Sequence, residues 1–217
     1  MIRELGKEDS IFNRFLSELR DAEIQKDSLR FRMNLERLGE LFAYEISKTL
    51  DYRDVEVTTP LGVSMMRVPD EEPVIAAILR AAVPLHQGLL RYFDHADSAF
   101  VSAYRKYSKE EKFVIKLDYL SAPPIQDRVL IVCDPMLATG GSLLASLEGL
   151  LEKGKPKHIH VVAALASDEG IARIRKKHSL NNLSLWVGAI DDELTAQAYI
   201  VPGLGDAGDL AFGKKDD

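Results

Sequence analysis

Asp134 closes an apolar run, Val129–Cys133, and the chain then passes through Pro135-Met136-Leu137-Ala138 to Thr139-Gly140-Gly141-Ser142. A buried strand, a carboxylate at its end, a loop of small residues and a helix start together make an anion site. The free N–H groups of the loop and of the helix N-terminus point at the ligand, and the helix dipole adds to them. Gly140 and Gly141 let the backbone approach a phosphate, while Thr139 and Ser142 can donate from their hydroxyls. An ionised Asp134 only accepts hydrogen bonds, which suits sugar hydroxyls beside that phosphate. A ribose 5-phosphate therefore fits the segment. A Gly-Gly-Ser turn taken alone favours a plainer reading, a capped helix with Ser142 as N-cap. The Gly-Lys-Ser/Thr of a kinase-type phosphate loop is missing.

A second segment, Tyr199-Ile200-Val201-Pro202-Gly203-Leu204-Gly205-Asp206-Ala207-Gly208-Asp209, holds three glycines within six residues. That density breaks regular structure and bares backbone donors and acceptors, which can pair with a flat ring edge of alternating C=O and N–H groups. On composition alone a surface turn is the favoured reading. Arg80 follows the apolar run Val74–Leu79, and Arg105 ends the run Ser98–Tyr104. The planar guanidinium fork matches the oxygens of a diphosphate, although a single arginine at a strand end is more often a solvated charge.

Other constellations do not assemble. His86, His95, His158, His160 and His178 lack the spacing of a zinc site. His158 and His160 alternate on an expected strand, so at most one is expected to face a given pocket. Ser142 lacks the Gly-x-Ser-x-Gly elbow of a hydrolase. Arg173, Arg175, Lys176 and Lys177 are expected to form a solvated helix face.

These residues need a frame. Ser10 is a plausible N-cap for a helix over Ile11–Glu23, and Phe31, Leu35, Leu38, Leu41, Phe42 and Ile46 give an apolar face to a helix over about Ser28–Leu50. Asp54–Thr59 and Val63–Val68 flank a Pro60-Leu61-Gly62 turn and read as a β-arm. Beyond Pro73, short apolar runs alternate with helical patterns. Val74–Leu79, Ser98–Tyr104, Phe113–Tyr119, Val129–Cys133, His158–Leu165 and Leu183–Val187 read as strands, with Arg105–Lys112 a charged connection. Val83–Phe93, Ser142–Lys153 and Asp168–His178 read as helices. Continuous apolar strands separated by helices indicate an α/β fold, a parallel sheet covered on both faces. Ligands then belong at the carboxyl ends of the strands.

The hydrophobic fraction of 46% over 217 residues is ordinary for a globular protein. The formal charge of −6 argues against a nucleic-acid partner, which needs a basic face. No apolar stretch reaches the ~20 residues of a membrane span, and the charged N-terminus does not resemble a signal peptide. The single Cys133, inside an apolar run, fits a buried thiol in a reducing compartment. A cytoplasmic protein is expected.

The whole string Asp134-Pro135-Met136-Leu137-Ala138-Thr139-Gly140-Gly141-Ser142 resembles the phosphoribosyl pyrophosphate (PRPP) motif of type I phosphoribosyltransferases, in the form carried by uracil phosphoribosyltransferases. Gly203-Leu204-Gly205-Asp206-Ala207-Gly208-Asp209 resembles the uracil loop of the same family. Ile78-Leu79-Arg80-Ala81 and Tyr104-Arg105 match its two pyrophosphate positions, and Leu38-Gly39, Ala43-Tyr44-Glu45, Val57–Gly62 and Ile190–Leu194 extend the likeness over nearly the whole chain. Two positions depart from the family pattern: Ala82 replaces a glycine, and Leu210 replaces an arginine.

The resemblance implies the type I fold as one domain over 1–217. N-terminal helices and a β-arm occupy about 10–70, the core about 73–190, and a small C-terminal hood for the base about 191–213. It implies transfer of the phosphoribosyl group to N1 of uracil, a pentosyltransferase reaction, with Mg2+ bound through PRPP and no protein metal ligands. PRPP contacts fall on Arg80, Arg105, Asp134, Pro135, Met136, Leu137, Ala138, Thr139, Gly140, Gly141, Ser142 and Asp206. Uracil contacts fall on Ile200, Gly205, Asp206 and Ala207. Asp206 is the candidate general base by proximity, with backbone-assisted loss of the N1 proton as the other route. A homodimer or larger assembly is implied as well. Two further readings keep the fold and change the role: a pyrimidine-responsive RNA-binding regulator, or a non-catalytic homologue.

Overall fold

The computed structural model describes residues 1–107, 113–178 and 182–215, and the side chains within 103–116 lie outside that description. Among the described residues the elements run β1 (Ile2–Glu4), α1 (Ile11–Arg20), α2 (Ser28–Ser47), β2 (Tyr52–Thr59), β3 (Gly62–Pro69), β4 (Val74–Leu79), α3 (Val83–Leu90), β5 (Asp97–Tyr107) and β6 (Phe113–Ser121). They continue with β7 (Val129–Cys133), β8 (Met136–Leu137), α4 (Gly141–Leu151), β9 (His158–Ser167), α5 (Asp168–Lys177), β10 (Leu183–Asp191), β11 (Glu193–Leu194), β12 (Ile200–Val201) and α6 (Ala207–Phe212).

Side-chain caps set several helix starts. Ser10 accepts from the Phe12 N–H, Asp27 from the Arg30 N–H, Ser167 from the Gly170 N–H and Asp206 from the Asp209 N–H. The first helix ends at Arg20 rather than Glu23. Asp21 is extended there, and its carboxylate accepts from the N–H groups of Glu23 and Ile24, which opens a separate 3-10 turn. Local side-chain bonds of this kind compete with helix continuation.

The main sheet, eight-stranded among the described residues, has the order β1-β10-β9-β7-β4-β5-β6, with β8 paired to β9. Every pair is parallel except β5–β6. Alternate residues of the central strands enter two cores. Ile75, Ala77, Ile131 and Cys133 pack under α1, α2, α3 and α6, whereas Val74, Ala76, Ile78, Leu130 and Val132 pack under α4 and α5. Both faces are thus covered, and the strands read as unbroken apolar runs for that reason.

The parallel sheet flanked by helices is as expected, and four details differ. The last strand pair departs from the parallel body of the sheet, since β5 and β6 are antiparallel. The strand holding Arg105 does not stop there: it runs on to Tyr107, and Arg105 faces Ile115 in the register. The rest of that connection, 108–112, lies outside the described residues. A strand at Ile2–Glu4 and a helix at Ala207–Phe212 were not expected. The β2–β3 arm pairs from Tyr52–Pro69 to Thr59–Gly62 and presents Leu61, Val63, Met65 and Met66 to solvent. No described helix is long and apolar enough to cross a membrane.

Candidate active site

β4 and β7 are parallel neighbours, with Ala77 opposite Cys133. Arg80 and Asp134 therefore leave the sheet at the same carboxyl edge. The Asp134 N–H donates to Val162 O at 3.0 Å, and its Oδ1 accepts from the Met136 N–H at 3.2 Å, which turns the chain sharply after the strand. Burial pushes the Asp134 carboxyl up to about 7, against the opposing pull of that Met136 bond.

The loop after Asp134 is held from below by β9 and α5. Met136 and Leu137 pair with Leu165 and Ala166. Ser167 Oγ donates to Ala138 O at 2.6 Å, and Arg173 Nη1 donates to Thr139 O at 3.4 Å. Gly140 is the N-cap of α4 with φ 72°, and a Cβ on it would lie 3.2 Å from Gly170 O. Only glycine suits both the left-handed backbone and the close approach. Ser142, the expected cap, instead lies inside the first helical turn. The result is a cavity of about 40 Å³ bordered by Asp134 and residues 136–143, opening on the start of α4. It has the form of an anion cradle. Leu137 borders it but packs its side chain into the core under α4, and buried Pro135 does not line it.

A second cavity of about 160 Å³ adjoins the first, with Met136 and Ala138 common to both. Its other walls are Ala81, Ala198, Tyr199, Ile200 and Gly205–Gly208. Gly203 and Gly205 have φ of 52° and 95°, which let the chain fold back from β12 into α6. The Ile200 side chain is 3% exposed and sits in the core, so only its backbone is free to meet a ligand. Asp206 caps α6 through Oδ1, at 2.9 Å from the Asp209 N–H. Arg80 reaches this side of the cleft: its Nη2 lies 3.3 Å from Asp209 Oδ1 and 3.3 Å from Gly213 O. Its buried Nε has no partner among the described residues, a donor suited to an anionic oxygen.

The sequence-expected residues thus fall in two adjoining cavities, except Pro135, which is buried, Arg80, which lines neither cavity but reaches Asp209 and Gly213 beside the second, and Arg105, whose side chain lies outside the description. Reading the sequence missed a pair behind the base-side loop. Arg20 forks Asp191 with Nη1 and Nη2 at 2.8 Å each, and both bind Gly203. Burial raises the Asp191 carboxyl, but the Arg20 and Gly203 bonds outweigh it and hold the group below the usual range. The acids of Ile190–Glu193 were the available signal.

Of two side expectations, that for the basic helix face holds and that for the histidines changes. Arg173, Arg175, Lys176 and Lys177 are exposed as expected, and all but Arg175 also border a cavity of about 660 Å³ beside Thr139 and Gly141. Lys177 is paired with Glu148 there. This larger cavity holds neither Asp134 nor any residue of the 203–209 loop. His158 and His160 border one cavity together, their rings 4.6 Å apart, because residues two apart on a strand share a face.

A sequence model of the family described as uracil phosphoribosyltransferase matches residues 7–214. A uracil phosphoribosyltransferase of Porphyromonas gingivalis is 51% identical over 211 residues, 97% of each chain. Another, from Thermococcus gammatolerans, is 43% identical over 95% of this chain and 91% of its own. The solved AQ2163 protein of Aquifex aeolicus superposes with a TM-score of 0.85 at 29% identity, covering 98% of each chain. A hypoxanthine phosphoribosyltransferase of Staphylococcus aureus shares the fold, with a TM-score of 0.50 at 15% identity over 74% of each chain. With the anion cradle and the glycine loop adjoining at one sheet edge, this chain belongs to the uracil phosphoribosyltransferase family.

Proposed function

We propose that the chain transfers the 5-phosphoribosyl group of PRPP to N1 of uracil, giving UMP and pyrophosphate. The observation that carries this is the adjoining of the Asp134–Ser142 cradle and the Ile200–Ala207 loop through Met136 and Ala138. The 5-phosphate sits on the N–H groups of residues 139–142, since that of Ala138 donates to Met136 O, with the Thr139 and Ser142 hydroxyls beside it. Asp134 accepts from the ribose hydroxyls. Remote binding energy at the phosphate then places the anomeric carbon against uracil N1.

In the reaction the bond from the anomeric carbon to the diphosphate oxygen breaks, the bond to N1 forms, and the N1 proton leaves. Arg80 and Arg105 take the charge that gathers on the departing diphosphate. Asp206 stands beside the base, but one carboxylate oxygen already caps α6. Backbone contacts of Ile200, Gly205 and Ala207 hold the ring edge, and the N1 proton passes to the second Asp206 carboxylate oxygen or to solvent water.

Mg2+ fits this residue set in one way. No group of three His, Cys, Asp or Glu stands together among the described residues, so the protein offers no cage. Asp134 is a lone carboxylate at the ribose side, and the ion would be held through substrate oxygens and water, as magnesium commonly is. When bound it supplies neutralisation of diphosphate charge.

The chain acts as one catalytic unit, in the cytoplasm, with the buried Cys133 kept as a thiol. The exposed Leu61, Val63, Met65 and Met66 of the β2–β3 arm support a homodimer or larger assembly. The test is a panel of uracil, cytosine, xanthine and hypoxanthine with PRPP and Mg2+, following pyrophosphate release. Turnover with uracil well above the others is expected, and no turnover with uracil overturns the proposal.

A further inference from the structure

We infer that Arg20 and Asp191 form a strut that positions the base-binding loop and thereby sets affinity for the base. The inference rests on the 200–207 loop being the base reader and extends that role to residues that touch no substrate.

Gly203 uses both of its backbone polar groups on this pair. Its N–H donates to Asp191 Oδ2 at 2.9 Å, and its carbonyl accepts from Arg20 Nη1 at 3.1 Å. Arg20 in turn grips both oxygens of Asp191. The ring of contacts joins the last residue of α1, the last residue of β10 and the middle of the loop, over sequence separations of up to 183 residues. Asp191 is 7% exposed and Arg20 24%, so water competes poorly for these bonds.

Gly203 sets the course of the chain into the base cavity. Its φ of 52° reverses the chain after Val201-Pro202, and a Cβ on it would collide with the Ile200 carbonyl. Two residues on, Gly205 enters the 160 Å³ cavity, succeeded by Asp206 and Ala207. Ile200 is anchored in the core on one side of Gly203, and α6 packs against α2 on the other, where Arg32 donates to Ala211 O at 2.7 Å. Between those anchors the strut holds the two peptide planes that flank Gly203. Loss of it frees the loop to tilt, which changes how its backbone meets a ring edge without touching the phosphate cradle. A misplacement near 1 Å is enough to weaken binding of an oriented ligand.

The experiment is steady-state kinetics of Arg20→Ala, Arg20→Lys and Asp191→Asn with uracil and PRPP varied in turn. Arg20→Ala and Asp191→Asn are expected to raise KM for uracil by about tenfold or more, the order expected from losing a buried charge-assisted bond. KM for PRPP should move by less than about twofold. Arg20→Lys, which keeps the charge and one donor, should recover part of the loss. Uracil KM left unchanged in Arg20→Ala and Asp191→Asn, or equal rises for both substrates, would overturn the inference. If Arg20→Ala does not fold, Asp191→Asn and Arg20→Lys carry the same comparison. A wild-type protein inactive on uracil would instead refute the proposed function, and the two failures are distinct.

Discussion

Arg80 Nη2 stands 3.3 Å from Asp209 Oδ1, so the arginine beside the expected diphosphate and the acid of the base-side helix are joined across the cleft. Both side chains are about a third exposed, and a pair of that kind contributes roughly 0.2–1 kcal/mol. A diphosphate offers Arg80 more oxygens than Asp209 does, and the buried Nε, without a partner among the described residues, adds a donor.

The two partners should therefore behave unequally. Asp209→Asn is expected to change KM for PRPP by less than about fivefold, the ceiling set by a ~1 kcal/mol pair. Arg80→Ala should raise it about tenfold to a hundredfold, as loss of charged hydrogen bonds of ~1.5–3 kcal/mol implies. Arg105→Ala should likewise raise KM for PRPP more than that for uracil. Initial-rate kinetics at saturating uracil, and at saturating PRPP for the comparison, measure all three variants.

Asp134 gives a pH signature. Its carboxyl is raised to about 7 by burial, so the folded protein binds this proton more tightly than the unfolded chain, where the value is about 4. Its contribution to stability is then full below pH ~4 and is lost as pH rises towards 7. Asp134→Asn should match the wild type at pH 4 and be more stable above pH 7, by about 2 kcal/mol once partial exposure is discounted. Thermal unfolding across that range tests it. The same carboxyl must ionise to accept from ribose, so PRPP affinity should fall from pH 8 to pH 6 in the wild type. In the variant it should be weaker and flat.

Gly140→Ala should damage the cradle more than the fold. The left-handed backbone costs a side chain about 1–2 kcal/mol, and the added methyl presses on Gly170 O. Unfolding stability should fall by about that amount, while kcat/KM for PRPP falls by tenfold or more because the residue 140–142 amides shift. An unchanged kcat/KM would remove Gly140 from the cradle.

Base choice follows from the second cavity. Uracil has a carbonyl at C4 where cytosine has an amino group, and a backbone N–H from the Gly205–Ala207 turn pairs with the first and opposes the second. An unsatisfied buried group costs ~1–3 kcal/mol, so kcat/KM should favour uracil over cytosine by tenfold or more. The fused ring of hypoxanthine should be excluded by the narrow loop. Small 5-substituted uracils should still react. Comparable kcat/KM for hypoxanthine and uracil would rule out a pyrimidine-reading loop.

Much of this was legible in the chain because it is local. The run Val129–Cys133, buried on both faces, announces a central strand, and Thr139–Ser142 announces the turn into α4. What escaped was long-range or very short. Arg20 and Asp191 are 171 residues apart, and no local pattern marks one as the partner of the other. Strand β1 has three residues, too few to show alternation. Helix α6 begins inside a glycine-rich string, where Asp206 as cap outweighs the low helix propensity of Gly208. Ser142 was displaced as a cap because Gly140 already supplies the left-handed turn.

In the sheet, Ser167 of β9 stands opposite Asp191 of β10. One carries the contact to Ala138, the other the contact to Gly203. The spacing between the two half-sites is therefore ruled by the pairing of two core strands, not by the loops that form them. Adding a residue within β10 would shift that ruler by one step of about 3.3 Å and turn Asp191 to the opposite face. Adding residues at the exposed Thr195–Gln197 turn would lengthen the connection and leave the ruler alone. An insertion at that turn would instead disturb Ala198 and Tyr199, which the turn hydrogen-bonds and which wall the base cavity.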